Sequence, residues 1–349
     1  MDSELLVSIC IPVYNAAKYL NETLNSIVNQ TYTNKEIIIS DNVSTDDSPR
    51  IVKQYMQKYD IHYSTTEKHW PIGEYNANHC VTLAKGDAVC IYHADDVYEP
   101  EIVVKCAHIL KKYPNVGAVF TMANVINEKS EVFSRYSLPL ELKRLARDYY
   151  HFDEIFRCVL KYENSFLICP SPMVRKSVYE QLGGFDYEKY RSASDLGLWF
   201  KIAQNFDIAI IDEPLLNVRI SRGQGSYAII RQRTTRADYF LVVDAYADKI
   251  TGHKNSVYYQ VSLMKDALYR ALNLSAQERL NESQALAGRA MDVYFKDFRG
   301  LCFIHRAGIY FVIAVLLTAI NKVPFPVLRK YYRAFIMKCV GMKKKVFSY

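Results

Sequence analysis

The sequence predicts an α/β protein with a mainly parallel sheet covered by helices on both faces, followed by a C-terminal helical region. Short β-branched strands alternate with amphipathic helices between residues 5 and 122, and strand signals disappear after about residue 227. Such alternation is typical of parallel sheets, because each crossover returns the chain to the same edge. We therefore expect an α/β domain over residues 1–227 and a helical, basic, membrane-associating region over residues 228–349.

Five apolar runs are the predicted strands of the first domain: 5–12, 36–40, 60–64, 86–93 and 116–122. Apolar residues at helical spacing predict helices between them, over 17–30, 48–59, 74–84 and 100–113. The same signal predicts three helices beyond the domain, over 228–250, 256–274 and 276–294. Ligands of open parallel sheets bind at the carboxyl ends of the strands, so the residues just after each strand are the first candidates for a functional site.

Polar residues follow the first, second and fourth predicted strands. The segments are Pro12-Val13-Tyr14-Asn15, the run 41–46, and His93-Ala94-Asp95-Asp96. A carboxylate just beyond a strand can accept hydrogen bonds from a base or a ribose. Adjacent acidic residues suit a hard divalent cation, which can share them with a diphosphate. An aspartate after a strand is also a common helix N-cap, but three such loops on one sheet edge favour a ligand site.

These segments, together with Lys85-Gly86-Asp87 and Ser194-Asp195, resemble glycosyltransferase family 2 over residues 5–226. The resemblance implies the GT-A fold and a non-processive bacterial type of enzyme. It implies transfer of a single sugar, with inversion, from a UDP-, dTDP- or GDP-linked donor. The implied acceptor group is a hydroxyl; if the C-terminal tail lies on a membrane, we expect it to belong to a lipid-linked saccharide in the synthesis of a surface polysaccharide or glycan.

The resemblance also implies a role for individual positions. The nucleotide-binding residues would be Pro12, Val13, Asn15, Asp41, Asp87, His93 and Ala94. Asp95 and Asp96 would hold Mg²⁺ or Mn²⁺, which neutralises charge on the departing diphosphate. Asp195 would be the catalytic base that takes the proton of the acceptor hydroxyl. Residues facing the diphosphate or the acceptor would be Gly184, Trp199, Arg219 and Arg222.

Several positions depart from the family pattern. Asn42 replaces an acidic residue, Val43 a glycine, His93 the first aspartate of Asp-x-Asp, Ser194 a glutamate and Ser221 a histidine. A neutral imidazole at position 93 would hydrogen-bond a ribose hydroxyl, ligate the metal or serve as a buried spacer. These departures leave open an alternative, a catalytically silent nucleotide-sugar-binding protein.

The net charge of +7 belongs to the C-terminal tail. Residues 298–349 contain ten of the 44 basic residues and none of the 37 acidic ones, so the preceding chain has 34 basic against 37 acidic residues. A basic, partly apolar tail favours an anionic surface, either membrane or nucleic acid. The uncharged run 307–320 is shorter than the roughly 20 residues that a spanning helix needs, so we expect it to lie in the membrane interface. A buried helix of the C-terminal region is the alternative.

A membrane surface is favoured over nucleic acid as the partner of this tail. The N-terminus shows no secretory signal, which predicts a peripheral or monotopic protein on the cytoplasmic face of the inner membrane. The sequence also raises two alternative enzyme classes, a processive polysaccharide synthase and a nucleotidyltransferase. The run 232–237 is similar to the Gln-Arg-x-x-Arg-Trp motif of processive polysaccharide synthases, but it lacks the tryptophan. A nucleotidyltransferase would need a glycine-rich phosphate loop, and none is evident.

Overall fold

A computed structural model describes residues 4–221, 233–247, 256–297 and 305–321. The chain divides into two compact units, Met1–Ser221 and Arg222–Tyr349. The predicted boundary at 227/228 lies outside the described residues, and so does Arg222.

Ten strands of the first unit form one sheet. They are β1 (Val7–Val13), β2 (Lys35–Asp41), β3 (Ile61–Thr65), β4 (Ala88–Ile91), β5 (Val97–Tyr98), β6 (Val116–Ile126), β7 (Val132–Arg135), β8 (Tyr149–Tyr150), β9 (Met173–Arg175) and β10 (Asp207–Arg219). Their order is β3-β2-β1-β4-β9-β6-β10-β5, with β7 beside β6 and β8 beside β10.

The sheet is parallel in its first part and mixed in its second. Strands β3, β2, β1 and β4 run parallel to one another, as the sequence predicts. Strand β9 is antiparallel to both of its neighbours, β4 and β6, while β10 is parallel to β6. The α/β fold class is therefore confirmed, and the short strands after residue 126 add an antiparallel part that the alternation of elements did not indicate.

Nine helices cover the sequence between these strands. They are α1 (Ala17–Val28), α2 (Ser48–Met56), α3 (Gly73–Leu83), α4 (Ile102–Lys112), α5 (Leu140–Lys143), α6 (Phe152–Tyr162), α7 (Lys176–Leu182), α8 (Tyr187–Tyr190) and α9 (Ser194–Asn205) within residues 4–221. A 3₁₀ turn, Arg191–Ala193, joins α8 to α9. Every strand and helix predicted up to residue 122 is present, with ends that shift by no more than four residues.

The core follows from the position of β1 in the middle of the parallel part. Its residues Val7, Ile9 and Ile11 have no exposed surface, because β2 and β4 flank the strand and helices cover it. The sequence of a strand that is buried on both faces is continuously apolar, whereas a half-buried strand alternates apolar and polar residues. Burying each such side chain stabilises the fold by about 1.5–3 kcal/mol, which fixes the strand ends that carry the site.

The second unit is helical over its described residues. Its helices are α10 (Tyr239–Ala247), α11 (Val257–Ala276), α12 (Leu280–Asp297) and α13 (His305–Asn321). A buried hydrogen-bond network joins α11, α12 and α13. Ser275 Oγ donates to Asn321 Oδ1 at 2.7 Å, and Asn321 Nδ2 donates to Ser283 Oγ at 2.9 Å. The predicted helices 256–274 and 276–294 are thus observed, while the predicted helix 228–250 lies only partly within the described residues.

Helix α13 contains most of the uncharged run of the tail. One face, with Ala314 and Leu317, is buried against α11 and α12, while Val312, Val315 and Leu316 are exposed. Among the described helices, none combines the length and apolarity needed to cross a bilayer.

The two arginines of the synthase-like motif have partners within the helical unit. Arg233 donates to Asp266 at 2.6 Å, and Arg236 donates to Asp244 at 2.7 Å. Gln232, the first residue of that motif, lies outside the described residues. Both arginines therefore have a structural role in holding helices of this unit together.

Candidate active site

The carboxyl ends of β1 and β2 form the first part of the site. Val13 pairs with Asp41 across the two strands, and Asn42 N donates to the Val13 carbonyl at 2.8 Å. The following loops are also joined, because Asn15 Oδ1 accepts from Thr45 N at 2.8 Å. Asn15 has a φ of 47°, a left-handed conformation that asparagine adopts more readily than most residues. Sheet pairing thus brings these predicted nucleotide-binding residues to one edge, with Pro12 partly buried at the end of β1.

Asp41 is held in place by two internal hydrogen bonds. Its Oδ1 accepts from Ser44 N at 2.8 Å, and its Oδ2 accepts from the Tyr63 hydroxyl at 2.7 Å. Burial, together with the negative charge of Asp41, raises the pKa of Tyr63 to about 12, so the tyrosine remains a donor. The side chain is buried, at 1% exposure, so the observed role of Asp41 is to hold the loop after β2, and its contact with a base stays a prediction.

The two departures that follow Asp41 have structural consequences. Asn42 Oδ1 accepts from Trp70 N and its Nδ2 donates to the Trp70 carbonyl, both at 2.7 Å, so the amide fixes the loop before α3. Val43 has a φ of 60°, where the family pattern has glycine. The left-handed conformation costs an L-residue about 1–2 kcal/mol, and a branched Cβ makes it less favourable still. Val43, two positions after Asp41, therefore has a strained backbone conformation.

His93, Asp95 and Asp96 form a compact cluster at the end of β4. One ligand atom from each of the three lies within 4.8 Å of the others. The Tyr98 hydroxyl accepts from His93 N at 2.7 Å and so fixes the start of the loop. Asp96 Oδ1 accepts from Arg219 N at 2.8 Å. Its Oδ2 is buried without a hydrogen-bond partner among the described residues and lies 3.7 Å from His93 Nδ1.

The electrostatics of this cluster suit a divalent cation. Burial raises the pKa of Asp96 well above its usual range, and the Asp95 charge adds to this, while Arg219 opposes it. Partial burial lowers the pKa of His93, against the pull of Asp95 and Glu74, so the imidazole is neutral at neutral pH. A cation would supply the missing counter-charge to the buried carboxylate and would accept the imidazole lone pair. The side chains therefore fit a metal site of mixed oxygen and nitrogen ligands.

Arg219 does not face a diphosphate, contrary to the sequence prediction. Its side chain has no exposed surface, and its guanidinium stacks 4.3 Å from the centre of the Tyr19 ring. It donates to the Asp95 carbonyl at 2.8 Å and to Glu22 Oε2 at 2.5 Å. Arg219 therefore stabilises the loop of His93, Asp95 and Asp96 by binding its main chain through a buried guanidinium.

Asp195 lies in the first turn of α9, with its side chain partly buried. Its Oδ1 accepts from Leu196 N at 2.6 Å. Burial raises the pKa of Asp195 to about 6; the Leu196 N–H opposes this shift and the negative charge of Glu74 adds to it. A carboxylate with this pKa is ionised at pH 7 yet is a stronger base than an ordinary aspartate, which suits proton abstraction near neutral pH.

Two residues that the sequence did not single out connect the base to the metal cluster. Glu74, in the first turn of α3, accepts from Ser194 Oγ at 2.9 Å. Cys169 is a partly exposed free thiol. Burial raises the pKa of Cys169 well above its usual range, and the charges of Asp195, Glu74 and Asp96 add to this. The Cys169 thiol thus lies within electrostatic range of both Asp195 and Asp96, and Glu74 lies within range of both Asp195 and His93. An isolated glutamate and cysteine carry no signal in the sequence that would have found them.

Asp87, which was predicted to bind the nucleotide, lies away from this cluster. It precedes β4, at the opposite end of that strand from His93, and its Oδ2 accepts from Leu6 N at 2.9 Å. The structure gives it a role in fixing the entry to β1. The Lys-Gly-Asp segment marks the start of β4, while the ligand edge of the sheet is at the strand's other end.

Gly184 and Trp199 support residues 184–195, the segment that the resemblance puts on the acceptor side (the acceptor-side segment), from inside the protein. Trp199 is buried and packs edge-on against Phe120 and Phe185, at ring distances of 5.1 and 5.9 Å. Gly184 lies against the Asn78 amide, where an added Cβ would be 2.0 Å from Oδ1. Trp199 thus packs inside the protein, at 1% exposure, and the contact of Gly184 with the diphosphate or acceptor stays a prediction.

The chain belongs to glycosyltransferase family 2. The family model described as glycosyl transferase family 2 matches residues 8–183, which is half of the 349-residue chain. The matched segment contains the loops after β1, β2 and β4 and ends just before Gly184. The protein is therefore a glycosyltransferase with the GT-A type of α/β fold, as the resemblance predicts.

Known proteins agree with this assignment. An uncharacterized glycosyltransferase of Methanocaldococcus jannaschii is 28% identical over 240 residues, covering 68% of this chain and 78% of its own. The chondroitin synthase of Escherichia coli is 32% identical over 136 residues, 39% of this chain and 20% of that protein.

Solved structures share the fold at low sequence identity. S. aureus TarS 1–349 in complex with UDP-GlcNAc superposes with a TM-score of 0.53 at 14% identity, covering 90% of each chain. The mannosyltransferase PcManGT from Pyrobaculum calidifontis, in complex with GDP-Man and Mn²⁺, gives a TM-score of 0.54 at 18% identity over 92% of this chain and 89% of that one.

Proposed function

We propose that this glycosyltransferase transfers a single sugar, with inversion, from a nucleotide-diphosphate donor to an acceptor hydroxyl. The observation that carries the proposal is the chemistry of two sets of side chains: the cluster of His93, Asp95 and Asp96 at the end of β4, and Asp195 in the first turn of α9, whose pKa is raised to about 6. A base with this pKa and a cation site for the leaving diphosphate are the two groups that direct displacement requires.

The proposed reaction is a single displacement. Asp195 accepts the proton of the acceptor hydroxyl as that oxygen forms a bond to the anomeric carbon of the donor. The bond from the anomeric carbon to the diphosphate breaks, and the diphosphate leaves with the electron pair. Asp95, Asp96 and His93 would hold Mg²⁺ or Mn²⁺, which supplies charge neutralisation at the diphosphate when bound. Attack opposite to the leaving group inverts the anomeric configuration.

The donor is proposed to be a UDP-, dTDP- or GDP-linked sugar. Two proteins of the same fold are known in complex with UDP-GlcNAc and with GDP-Man and Mn²⁺. In this chain, Asp41, Val13 and Asn15 lie together at the strand ends where a base would bind. Loss of one charge at position 93 leaves two carboxylates and an imidazole to bind the cation.

A thermal-shift panel of nucleotide sugars, with and without Mn²⁺, tests this proposal. We expect one donor class to raise the melting temperature only when the metal is present. Binding at about 100 times its Kd stabilises a protein by about 2.7 kcal/mol, a readily measured shift. Stabilisation by a donor that is unaffected by metal would contradict the proposed role of the cluster. No stabilisation by any nucleotide sugar would contradict the proposed function.

We further propose that the tail holds the enzyme at an anionic membrane surface, where the acceptor is a lipid-linked saccharide in surface glycan synthesis. The support is chemical: residues 298–349 contain ten basic and no acidic residues, and α13 exposes Val312, Val315 and Leu316. Each basic residue near an anionic surface contributes about 1 kcal/mol. The location would be the cytoplasmic face of the inner membrane, with peripheral or monotopic attachment.

Vesicle flotation tests the membrane proposal. The full chain should float with vesicles that contain anionic phospholipid and remain unbound with neutral phosphatidylcholine vesicles. A chain truncated after Phe298 should not float with either. Equal behaviour of the two chains would contradict the proposal, and salt-dependent retention of RNA by the full chain would favour the nucleic-acid alternative.

A further inference from the structure

Helix α3 holds the segment between Gly184 and Asp195 by side-chain hydrogen bonds. Asn78 Nδ2 donates to the Phe185 carbonyl and its Oδ1 accepts from Phe185 N, both at 2.8 Å. The Tyr75 hydroxyl donates to Glu188 Oε1. Glu74, directly before Tyr75, accepts from Ser194 Oγ through its Oε1 at 2.9 Å. These bonds join α3 to the acceptor-side segment at three points, and the Glu74 bond lies nearest to the proposed base.

The pair formed by Glu74 and Ser194 replaces a feature that the chain lacks. The family pattern has an acidic residue directly before the base, whereas this chain has Ser194. Ser194 is 1% exposed, and its hydroxyl donates to the Glu74 carboxylate rather than to solvent. A carboxylate from a different element, 120 positions earlier in the sequence, thus accepts a hydrogen bond from the residue directly before Asp195.

We propose that Glu74 is a positioning residue for Asp195: it fixes the first turn of α9 through Ser194 and supplies the second negative charge beside the base. The proposal rests on the proposed function, in which Asp195 takes the acceptor proton. A second negative charge nearby disfavours ionisation of Asp195 and so makes it a stronger base. The negative charge of Glu74 contributes to the raised pKa of Asp195, in support of this assignment.

Glu74 is the ionisable group whose charge contributes to the raised pKa of Asp195, and the groups of the cluster, His93, Asp95 and Asp96, do not contribute to it. Glu74 faces Asp195 from α3, and the Cys169 thiol faces it from the loop before β9. Glu188, Lys189 and Arg191, on α8 and the 3₁₀ turn, are exposed to solvent. The raised pKa of Cys169 keeps its thiol neutral, so Glu74 is the charged group whose removal should change Asp195 most.

The test compares Glu74→Gln with Glu188→Gln as a matched control. Both glutamates accept a hydrogen bond from a hydroxyl group, but Glu74 joins α3 to α9, whereas Glu188 is exposed and joins α8 to α3 through Tyr75. The titration of the Asp195 carboxyl is followed by ¹³C NMR in the full-length protein, with the resonance assigned from Asp195→Asn. Glu74→Gln should move the titration of Asp195 to lower pH, while Glu188→Gln and wild type should coincide.

Kinetics supply the second readout. For a base with a pKa of about 6, kcat/KM rises about tenfold between pH 5 and pH 7. In Glu74→Gln this ratio should fall to about fivefold or less, with kcat lowered and the donor Kd unchanged. Glu74→Asp, which keeps the charge, should restore the wild-type ratio.

Three results would overturn the proposal. An unchanged Asp195 titration in Glu74→Gln would remove its basis, whether or not the enzyme transfers sugar. If Glu188→Gln shifted the titration of Asp195 as much as Glu74→Gln does, the effect would be a general one of removing negative charge and not specific to Glu74. Complete loss of transfer at every pH in a folded, donor-binding Glu74→Gln variant would make Glu74 a group that contacts substrate. Absence of transfer in the wild type, with the Asp195 titration shifted in Glu74→Gln, would instead contradict the proposed function alone.

Discussion

Replacing Gly184 by alanine tests how α3 holds the acceptor-side segment. The added Cβ would lie 2.0 Å from Asn78 Oδ1, which is far inside van der Waals contact. The amide would have to move and lose its two hydrogen bonds to Phe185. Two such bonds contribute about 0.5–1.5 kcal/mol each, and crowding adds about 1–3 kcal/mol. We expect the free energy of unfolding to fall by about 2–6 kcal/mol.

Urea denaturation of the full-length protein measures this loss. The matched control is Gly73→Ala, because nothing lies within 4 Å of a Cβ at that position in the first turn of α3. Alanine there should leave stability unchanged or raise it by up to about 1 kcal/mol. Combining Gly184→Ala with Asn78→Ala should cost less than the sum of the single changes, because the amide that clashes is removed. Equal stability of the Gly184→Ala and Gly73→Ala proteins would refute the reasoning.

Three other predictions follow from the site. The kcat/KM of transfer should decline below pH 6, because the ionised fraction of Asp195 falls from about nine-tenths at pH 7 to about one-tenth at pH 5; a flat profile over this range would contradict its role. His93→Asp should shift the cation preference from Mn²⁺ toward Mg²⁺ by about tenfold in relative Kd, because carboxylate oxygen suits Mg²⁺ better than imidazole does. The two Kd values are measured by calorimetry without acceptor, and an unchanged preference would exclude His93 as a ligand. Val43→Gly should raise the free energy of unfolding by up to about 1 kcal/mol, since relief of the φ of 60° outweighs the added entropy of glycine; a loss of stability in denaturation would show that the valine side chain is needed.

Much of the fold could be predicted because its strongest signals are local. Strand β1 is a continuous apolar run because it is buried on both faces, and α1 repeats Leu20, Leu24 and Ile27 at helical spacing for its one buried face. The strands after residue 126 escaped prediction because several, such as β8 and β9, have only two or three residues. Periodicity cannot distinguish such short runs from loops.

The site was predictable to the extent that it depends on strand ends. Asp41 and the cluster of His93, Asp95 and Asp96 lie where the rule for parallel sheets puts them. The resemblance implied that Arg219 faces a diphosphate, with a solvated loop arginine as the alternative. The guanidinium is instead buried, because its N–H donors bind main-chain carbonyls and Glu22. Glu74 was missed because its neighbour Ser194 is distant in sequence, and only the fold brings them together.

At three departures from the family pattern, the residue present makes a hydrogen bond or offers a lone pair where the family residue has a charge. Asn42 lacks the usual charge but binds both main-chain groups of Trp70, and Ser194 lacks a carboxylate but binds one on Glu74. His93 keeps a lone pair within reach of the carboxylates of its loop. These exchanges are consistent with a working active site rather than with a site that has lost its function.

The central claim is that Asp195 is the base of a metal-dependent sugar transfer. The most direct measurement compares wild type and Asp195→Asn in a transfer assay with the donor found by thermal shift, alongside the Kd of that donor with Mn²⁺. The amide is nearly isosteric but cannot accept the proton, so we expect transfer to fall at least about 100-fold with the donor Kd unchanged. Transfer by Asp195→Asn at the wild-type rate would contradict the account.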